Sequence, residues 1–410
     1  MNCGLLGRKL AHSYSPVIHS LLADYDYTLF EKEPSELEDF IRHGHWDGLN
    51  VTIPYKRDAA ALCDALSPLA KELGSVNTLV RRADGTVFGD NTDAWGFGVM
   101  AKSLTVDYDG KKALVLGSGG ASVTVQAVLK QLGCTVVVIS RTGENNYENL
   151  HLHKDAQILV NTTPVGMYPH NGQSPVDPEN FPDLQAVLDV VYNPARTGLI
   201  LAAEERKIPC ESGLLMLVAQ AARACEIWTG TEIPFEKIEE IRETVGFSME
   251  NIILVGMPGS GKSTAGRFLA AETGRKFADS DRELEKKIGD IPEFFAKHGE
   301  EAFRKAETEV LAELGKQSGL VIATGGGVVT RPENYPLLHQ NGRIFWLKRA
   351  IEDLPTDGRP LSQQEGVAAL YEKRKPLYER FADVTVDNNG SLHDTCGEIL
   401  NAKHSAQNVK

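Results

Sequence analysis

Apolar, strand-like runs alternate with segments of helical periodicity along most of the chain, a pattern typical of α/β folds with parallel sheets. In two places an apolar run, a glycine loop and a helical pattern follow one another, at 111–133 and at 251–274. A charged helical segment lies between them. We predict that it ends near Gly246, because glycine commonly follows the last turn of a helix. The pattern therefore predicts two nucleotide-binding units of different type, with a boundary at 246–249.

Composition and charge restrict the class of protein. The 410 residues suffice for two or three domains, and 42% hydrophobic with 24% charged residues is ordinary for a globular protein. Lysine and arginine number 43 against 56 acidic residues, and the net charge of −13 argues against nucleic-acid binding. No apolar run approaches a membrane span, no leader pattern opens the chain, and the six cysteines are scattered. These features predict a cytoplasmic protein with reduced thiols and no membrane partner.

The first glycine loop has the spacing G-x-G-x-x-small between a strand and a helix. Such a loop lets the backbone approach a pyrophosphate at a helix N-terminus, although a plain tight turn is the alternative. A site for NAD usually places an acidic residue at the end of the next strand, whereas this strand ends in Ser140, Arg141 and Thr142. Arg141 either pairs with a 2′-phosphate, which favours NADP, or is a solvated residue at a strand end.

Short polar motifs flank this unit, and each taken singly could be a helix cap or a surface residue. They are H-S-x-S-P at 12–16, N-V-T-x-P-x-K at 50–56, V-N-T at 76–78, G-D-N-T-D at 89–93, and G-L-x-M-L-V-A-Q at 213–220. In this order, with the glycine loop at 117–122 among them, the motifs resemble shikimate dehydrogenase over about 1–245. The segment 143–157 is shorter than in that family, and we expect it to lack a helix.

This resemblance implies a discontinuous α/β substrate domain, 1–92 and 213–246, around an inserted Rossmann-like NADP domain, 93–212. Lys56 and Asp93 would be the catalytic pair, because an ammonium group beside a ketone oxygen can stabilise and protonate the alkoxide that hydride delivery creates. The residues implied to contact the substrate are Ser13, Ser15, Thr52, Asn77, Asp93, Tyr192 and Gln220. Those implied to contact NADP are Gly117, Ser118, Gly119, Gly120, Ala121, Ser122, Ser140, Arg141, Thr142 and Gly213.

The second glycine loop, residues 256–263, is a complete G-x-x-x-x-G-K-S between a strand and a helix. In this motif the backbone amides hold phosphates, the lysine reaches the β- and γ-phosphate oxygens, and the hydroxyl faces Mg²⁺. Lys262 and Ser263 therefore predict nucleotide binding. The motif does not identify the group that accepts the phosphate.

Five further motifs supply that information. They are D-S-D at 279–281, E-x-x-F-R at 300–304, A-T-G-G-G at 323–327, G-R-P-L at 358–361 and R-x-P-L-Y at 374–378. Singly they could be a helix cap, a surface ion pair or a flexible loop. In this order behind the P-loop they resemble shikimate kinase over about 249–410.

The second resemblance implies a P-loop kinase domain with a five-stranded parallel sheet at 249–410, in which Lys262 and Asp281 are catalytic. Phosphoryl transfer depends mainly on positioning and charge neutralisation, which a lysine, a metal ion and arginines provide. The residues implied to contact ATP are Gly259, Ser260, Gly261, Lys262, Ser263, Thr264 and Arg359. Shikimate would contact Asp281, Arg304, Gly326, Gly327 and Arg374, and Mg²⁺ would be held by Ser263 and Asp279.

Together the two resemblances imply a bifunctional enzyme of aromatic amino-acid biosynthesis. NADPH would reduce 3-dehydroshikimate to shikimate, and ATP with Mg²⁺ would convert shikimate to shikimate 3-phosphate, so the first product is the second substrate. Two alternatives stay open. One half could be a silent shikimate-binding module with a regulatory or scaffolding role, or the P-loop half could phosphorylate another small acceptor. Quinate in place of shikimate is a lesser ambiguity of the first half.

Overall fold

The computed structural model describes residues 1–10, 13–354 and 366–402, and its helices and strands divide into two units. The first unit comprises Met1–Val165, Ser174–Tyr192 and Ala202–Val245. The second comprises Gly166–Gln173, Asn193–Leu201 and the chain from Gly246 onward.

Six strands near the N-terminus form one mixed sheet. They are β1 (Asn2–Gly7), β2 (Asp26–Glu31), β3 (Gly48–Val51), β4 (Ala65–Leu66), β5 (Thr78–Arg81) and β6 (Val87–Asp90). Their order is β2-β1-β3-β5-β6-β4, with β5 antiparallel to both of its neighbours. The reversal follows from the sequence, because the Asp84-Gly85 pair between β5 and β6 is a hairpin turn signal.

The second sheet of the first unit has five parallel strands in the order β11-β10-β9-β7-β8. They are β7 (Lys112–Leu116), β8 (Thr135–Ile139), β9 (Ile158–Asn161), β10 (Ala186–Asp189) and β11 (Cys210–Ser212). The central strands β7, β9 and β10 are almost continuously buried, as expected for a parallel sheet covered on both faces. Between β8 and β9, a stretch described in full, the only helical piece is a 3₁₀ turn at Leu150–His153, so the expected loss of a helix there is observed.

The described residues before β12 form nine α-helices. They are α1 (Ser15–Leu22), α2 (Leu37–His43), α3 (Lys56–Ala61), α4 (Pro68–Leu73), α5 (Thr92–Ser103), α6 (Gly120–Gln131), α7 (Gly198–Glu205), α8 (Leu214–Thr229) and α9 (Phe235–Met249). Helix α8 returns to the first sheet, where the Trp228 indole donates a hydrogen bond to the Leu79 carbonyl at 2.9 Å. The chain therefore leaves the first sheet, builds the second and comes back. This is the discontinuous fold with an insertion that the sequence predicts.

The sheet of the second unit has five parallel strands in the order β13-β14-β12-β15-β16, as predicted. They are β12 (Asn251–Val255), β13 (Lys276–Asp279), β14 (Leu320–Ala323), β15 (Gly342–Lys348) and β16 (Val384–Asp387). The helices described in this part of the chain are α10 (Lys262–Thr273), α11 (Ser280–Ile288), α12 (Ile291–Gly315), α13 (Asn334–His339), α14 (Val367–Phe381) and α15 (Leu392–Asn401).

The predicted helix end near Gly246 is wrong. Helix α9 continues to Met249, and the Gly246 carbonyl accepts a helical hydrogen bond from the Glu250 amide at 2.9 Å. A glycine inside a helix costs only about 1 kcal/mol relative to alanine. Val245 and Met249 are both buried, and burying such side chains outweighs that cost. Glu250 alone therefore separates α9 from β12.

Among the described residues, no helix is both long enough and apolar enough to cross a lipid bilayer.

Candidate active sites

Lys56 and Asp93 form an ion pair at the edge of the first sheet, with Nζ and Oδ2 2.6 Å apart. Lys56 is the first residue of α3 and Asp93 is the second residue of α5, so each residue of the pair lies in the first turn of its helix. Their side chains are 30% and 18% exposed, which leaves the ammonium accessible to a ligand. Such a partly buried ammonium, held by a carboxylate, can stabilise negative charge on a substrate oxygen and protonate it.

Two amide side chains complete this cluster. The Asn77 Nδ2 group donates to Asp93 Oδ1 at 2.9 Å and to Gln220 Oε1 at 3.2 Å. Gln220 is itself fixed by a hydrogen bond from its Nε2 to the Leu217 carbonyl within α8. The structure therefore brings together Lys56, Asn77, Asp93 and Gln220, four of the residues predicted from the sequence, although Asn77 and Gln220 are 143 positions apart.

The other predicted substrate residues of the first unit lie on separate elements. The Ser13 hydroxyl accepts a hydrogen bond from the Ser15 amide at 3.2 Å, just where α1 begins. The Thr52 amide donates to the Leu6 carbonyl at 2.9 Å, directly after β3. Tyr192 follows β10 and meets the Tyr14 ring edge-on at 6.3 Å. Of the described hydrogen bonds, none joins Ser13, Thr52 or Tyr192 to the Lys56 cluster.

The first glycine loop connects β7 to α6. Gly117 has a φ of 106°, which requires glycine, and the Ser122 hydroxyl ties the loop closed by donating to the Gly117 carbonyl at 2.7 Å. The residues between them, Ser118, Gly119, Gly120 and Ala121, are all exposed. A Cβ added at Gly119 or Gly120 would meet no described atom within 4 Å. The helix N-terminus is thus open to a phosphate-bearing ligand, as this motif requires.

Arg141 and Thr142 follow the end of β8, the strand beside β7 in the same sheet. Both residues are exposed. The Ser140 amide donates to the Asn145 carbonyl at 3.1 Å, so the segment turns back immediately after the strand. Burial raises the pKa of Tyr147, and the positive charge of the nearby Arg141 opposes that rise. The guanidinium is exposed and therefore accessible to an anion.

Gly213, also predicted to contact NADP, immediately precedes α8. Its amide donates to the Val191 carbonyl at 3.0 Å, and an added Cβ would collide with the Val190 backbone. Because Gly213 has no side chain, α8 can begin close to the backbone that follows β10.

The P-loop lies between β12 and α10. Lys262 is 8% exposed, and its Nζ donates to the Gly256 and Met257 carbonyls at 2.9 Å each. The Ser260 amide donates to the Met257 carbonyl at 3.1 Å, and Ser260 is itself buried. Gly261 has a φ of 89°, so a left-handed residue precedes the helix. The neighbouring Gly259 is half-buried and Thr264 is exposed.

The residues predicted to hold Mg²⁺ contact each other. The Ser263 hydroxyl donates to Asp279 Oδ2 at 2.8 Å, at the point where β13 ends. Asp279 also caps α11, since its Oδ1 accepts a hydrogen bond from the Asp281 amide at 3.2 Å. A hydroxyl and a carboxylate oxygen are the kind of ligand that Mg²⁺ prefers. The pair fits a Mg²⁺ ion held beside the P-loop.

Asp281 lies among acidic groups, two residues after Asp279. Desolvation of the carboxyl group by the surrounding protein, together with the negative charges of Glu307 and Asp279, raises the pKa of Asp281 to about 6, while Lys262 opposes the shift. A Cβ on Gly325 would lie 2.7 Å from Asp281 Oδ1 and 2.9 Å from Glu307 Oε1. The carboxyl group of Asp281 is therefore able to take up a proton near neutral pH, as a base for an acceptor hydroxyl must.

Two buried arginines face the glycine segment that follows β14. Arg304 is 7% exposed and donates from Nη1 to Glu307 Oε2 at 2.7 Å. Arg374 is 4% exposed and donates from Nη1 to the Gly326 carbonyl at 3.0 Å. A Cβ on Gly327 would collide with the Arg304 guanidinium. Arg304, Arg374, Gly326 and Gly327 are thus brought together, as predicted, and two guanidinium groups suit the binding of a carboxylate.

Glu307 was not predicted as a site residue. It is 2% exposed; burial raises its pKa, and the adjacent Arg304 opposes that rise. Its position three residues after Arg304 on a helix is the signal that could have identified it. Arg359, by contrast, lies outside the described residues.

Family models match three stretches of the chain. Residues 5–79 match the model of the shikimate dehydrogenase substrate binding domain, and residues 213–241 match that of the shikimate 5'-dehydrogenase C-terminal domain. Residues 258–403 match the model of shikimate kinase.

Curated relatives resemble the first part of the chain. A shikimate dehydrogenase (NADP(+)) of Clostridium perfringens (strain SM101 / Type A) is 34% identical over 262 residues, which cover 58% of this chain and 96% of the relative. The shikimate dehydrogenase (NADP(+)) of Methanopyrus kandleri is 36% identical over 271 residues, covering 58% of this chain and 93% of the relative.

Solved structures give the same result. A chorismate mutase/shikimate 5-dehydrogenase fusion protein from Clostridium acetobutylicum is 35% identical with a TM-score of 0.56, covering 59% of this chain and 96% of that one. Shikimate 5-dehydrogenase from Thermus thermophilus, solved with NADP(H) and shikimate, is 31% identical with a TM-score of 0.54, covering 60% of this chain and 99% of that one.

The folds, sites and matches define an oxidoreductase fused to a P-loop kinase domain. The chain belongs to the shikimate dehydrogenase family and carries a shikimate kinase domain in its C-terminal part. Both predicted resemblances, the α/β fold class and the enzyme class are confirmed. The predicted cofactors, NADP(H) and ATP with Mg²⁺, are confirmed at the level of these families.

Proposed function

We propose that both halves are active and act in sequence, reducing 3-dehydroshikimate to shikimate and then phosphorylating shikimate to shikimate 3-phosphate. The observation that carries this proposal is that each half brings side chains predicted for its chemistry into contact. Lys56 is paired with Asp93 in one half, and Ser263 with Asp279 beside Lys262 in the other. In a chain with both activities, shikimate is the product of the first reaction and the substrate of the second. The two reactions are then consecutive steps of aromatic amino-acid biosynthesis.

In the reduction, NADPH supplies the hydride. The Lys56 ammonium would lie at the ketone oxygen, stabilise the charge that develops there and donate a proton to it. Asp93 orients the ammonium through their 2.6 Å contact. Asn77 holds Asp93 in place and is itself bonded to Gln220, and these two amide side chains would border the substrate hydroxyls. Ser13 and Ser15 would bind the substrate carboxylate, and Thr52 and Tyr192 would complete the pocket.

In the phosphorylation, ATP with Mg²⁺ supplies the phosphoryl group and neutralises part of its charge. Asp281 would receive the proton of the acceptor hydroxyl, which its raised pKa permits. Arg304 and Arg374, held by Glu307 and by the Gly326 carbonyl, would bind the shikimate carboxylate. Lys262 would move from the loop carbonyls to the phosphate oxygens.

The proposed domain bounds are those of the sequence: 1–92 and 213–246 for the substrate domain, 93–212 for the NADP domain, and 249–410 for the kinase domain. The family-model matches at 5–79, 213–241 and 258–403 each fall inside one of these ranges, which supports the bounds.

The experiment that tests the proposed function supplies 3-dehydroshikimate, NADPH, ATP and Mg²⁺ together and follows NADPH oxidation and phosphorylated product. We expect both signals, with phosphorylation delayed until shikimate has accumulated. Oxidation of NADPH without phosphorylated product would show that only the dehydrogenase half is active and would refute the bifunctional proposal. The remaining alternative is that the P-loop half phosphorylates a different acceptor. Supplying other small acceptors with ATP and Mg²⁺ in place of shikimate tests it.

Replacing Arg141 with alanine is expected to weaken the binding of NADPH but not that of NADH. A charge-assisted hydrogen bond contributes about 1.5–3 kcal/mol, which corresponds to about a 10- to 150-fold rise in the apparent NADPH constant. NADH lacks the 2′-phosphate, so its weak use and the kinase reaction should not change. Comparing initial rates with NADPH and NADH in variant and parent measures this. An unchanged preference ratio would identify Arg141 as a solvated strand-end residue.

A further inference from the structure

Three buried polar side chains lie between the predicted carboxylate-binding serines and the catalytic pair of the dehydrogenase half. They are Asn50, Thr78 and Thr92, each at most 4% exposed. Asn50 faces Thr78 directly across the antiparallel β3–β5 pair, and Thr78 in turn faces Asp90 across the β5–β6 pair, two residues before Thr92. The strand register thus places Asn50 beside Thr78, and a 3.0 Å contact between the Thr78 and Thr92 hydroxyls extends the row to the start of α5.

This row is joined by hydrogen bonds to Asn77. The Thr92 amide and hydroxyl donate to Asn77 Oδ1 at 2.6 and 3.2 Å. The Thr78 and Thr92 hydroxyl oxygens are 3.0 Å apart, and Asn50 Nδ2 donates to the Thr78 hydroxyl at 3.4 Å. Asn77 then contacts Asp93, so a continuous path runs from Asn50 to the catalytic pair.

The far end of the row is anchored by aromatic packing. The Tyr27 hydroxyl donates to Asn50 Oδ1 at 2.7 Å, and the Ser15 hydroxyl forms a hydrogen bond with Tyr27. The His19 ring stacks on Tyr27 with their centroids 4.1 Å apart, and on the Trp228 ring at 5.2 Å. Burial lowers the pKa of His19 to about 3, so this support is a neutral imidazole at physiological pH.

The donors along the path lead to the Asn77 carbonyl oxygen. That oxygen accepts from the Thr92 hydroxyl at 3.2 Å and from the Thr78 hydroxyl at 3.4 Å, and whichever hydroxyl gives its one proton to Asn77 can accept from the other across their 3.0 Å contact. Thr78 likewise accepts from Asn50, whose carbonyl oxygen accepts from Tyr27. Such a chain is mutually polarising and strengthens each of its bonds. It occupies the carbonyl oxygen of Asn77 and therefore directs the Asn77 amide nitrogen toward Asp93.

We propose that Asn50, Thr78 and Thr92 are positioning residues for the reduction, an inference that rests on the dehydrogenase reaction proposed above. With its amide reversed, Asn77 would present an oxygen to the Asp93 carboxylate, and the two acceptors would repel. The Thr92 amide and the two threonine hydroxyls together exclude that orientation, and the hydroxyls are two of the three donors to the Asn77 oxygen. They thereby hold Asp93, and through Asp93 the Lys56 ammonium, at the position the reaction needs.

The test replaces the hydroxyls without changing the shape of the side chains. We expect Thr92→Val and Thr78→Val each to lower kcat for 3-dehydroshikimate reduction by about tenfold to a hundredfold, the usual cost of a slightly misplaced catalytic group. The KM should change far less, because the groups that bind substrate are still present. Thr92→Ser and Thr78→Ser keep the hydroxyl and should restore kcat. Thr124→Val removes the hydroxyl of another buried threonine, on α6, and should leave kcat unchanged.

Two outcomes would overturn the inference while the parent enzyme is active. One is a parental kcat in both valine variants. The other is a kcat in the serine variants as low as that in the valine variants. If a valine variant does not fold, Tyr27→Phe removes the first donor of the path together with the bond to the Ser15 hydroxyl, and unchanged kcat in that variant also overturns the inference. A parent enzyme without reductase activity would instead refute the proposed function and with it this inference.

Discussion

Replacing Lys262 with alanine should abolish phosphorylation while reduction of 3-dehydroshikimate continues at the parental rate. The Lys262 ammonium is buried in the P-loop and is the group that would meet the transferred phosphate. Losing one such preorganised charge lowers a rate by about 10²- to 10³-fold. The measurement is phosphorylated product formed from added shikimate, with NADPH oxidation followed in the same preparation.

Lys276 supplies the matched control, because it is an exposed lysine on β13 of the same sheet. Lys276→Ala should retain both reactions. Parental phosphorylation by Lys262→Ala would exclude the P-loop from the chemistry, and the kinase part of the proposed function would then fail.

The converse result is expected for the dehydrogenase half. Lys56→Ala removes the proton donor, and Asp93→Asn removes the charge that orients it while keeping its shape. A general acid contributes about 10²- to 10⁴-fold to a rate, so NADPH oxidation should fall by that factor in either variant. Phosphorylation of shikimate that is added directly should be unaffected.

Lys71 is an exposed lysine on α4 of the same unit, and Lys71→Ala should behave as the parent. If Lys56→Ala or Asp93→Asn lost both reactions in a folded protein, separate sites would be contradicted. A pair of variants with opposite losses would instead establish two independent sites in one chain.

Local motifs predicted the groups that act close together in the chain. The spacing of the P-loop and of D-S-D places Ser263 and Asp279 at the ends of neighbouring elements, and their hydroxyl and carboxylate meet at 2.8 Å. The contact between Asn77 and Gln220 is different, because helix α8 reaches the first sheet only after a whole second sheet has been inserted. No periodicity encodes such a contact, and only the resemblance of ordered motifs indicated it.

Two misses have a common physical cause, since packing decided them. Glu307 was not predicted, although it is buried and accepts a hydrogen bond from Arg304, a residue that the ordered motifs did predict. Gly246 by itself resembles a helix end, yet the helix continues because Val245 and Met249 are buried on either side of it. Local preference gave the wrong helix end at Gly246 because tertiary burial contributes more free energy than propensity, and the burial of Glu307 is likewise set by tertiary packing.

The glycine segment after β14, residues 325–327, leaves room for the groups packed against it. This restricts how the choice of substrate can evolve. A side chain at Gly326 would come within 2.6 Å of Pro258 in the P-loop, and one at Gly325 would press on both Asp281 and Glu307. A mutation here cannot change recognition of the acceptor without also displacing the nucleotide loop or these two carboxylates. Drift toward a new acceptor is therefore confined to positions outside this segment, and resistance to an inhibitor that lies against these glycines would cost the enzyme its own turnover.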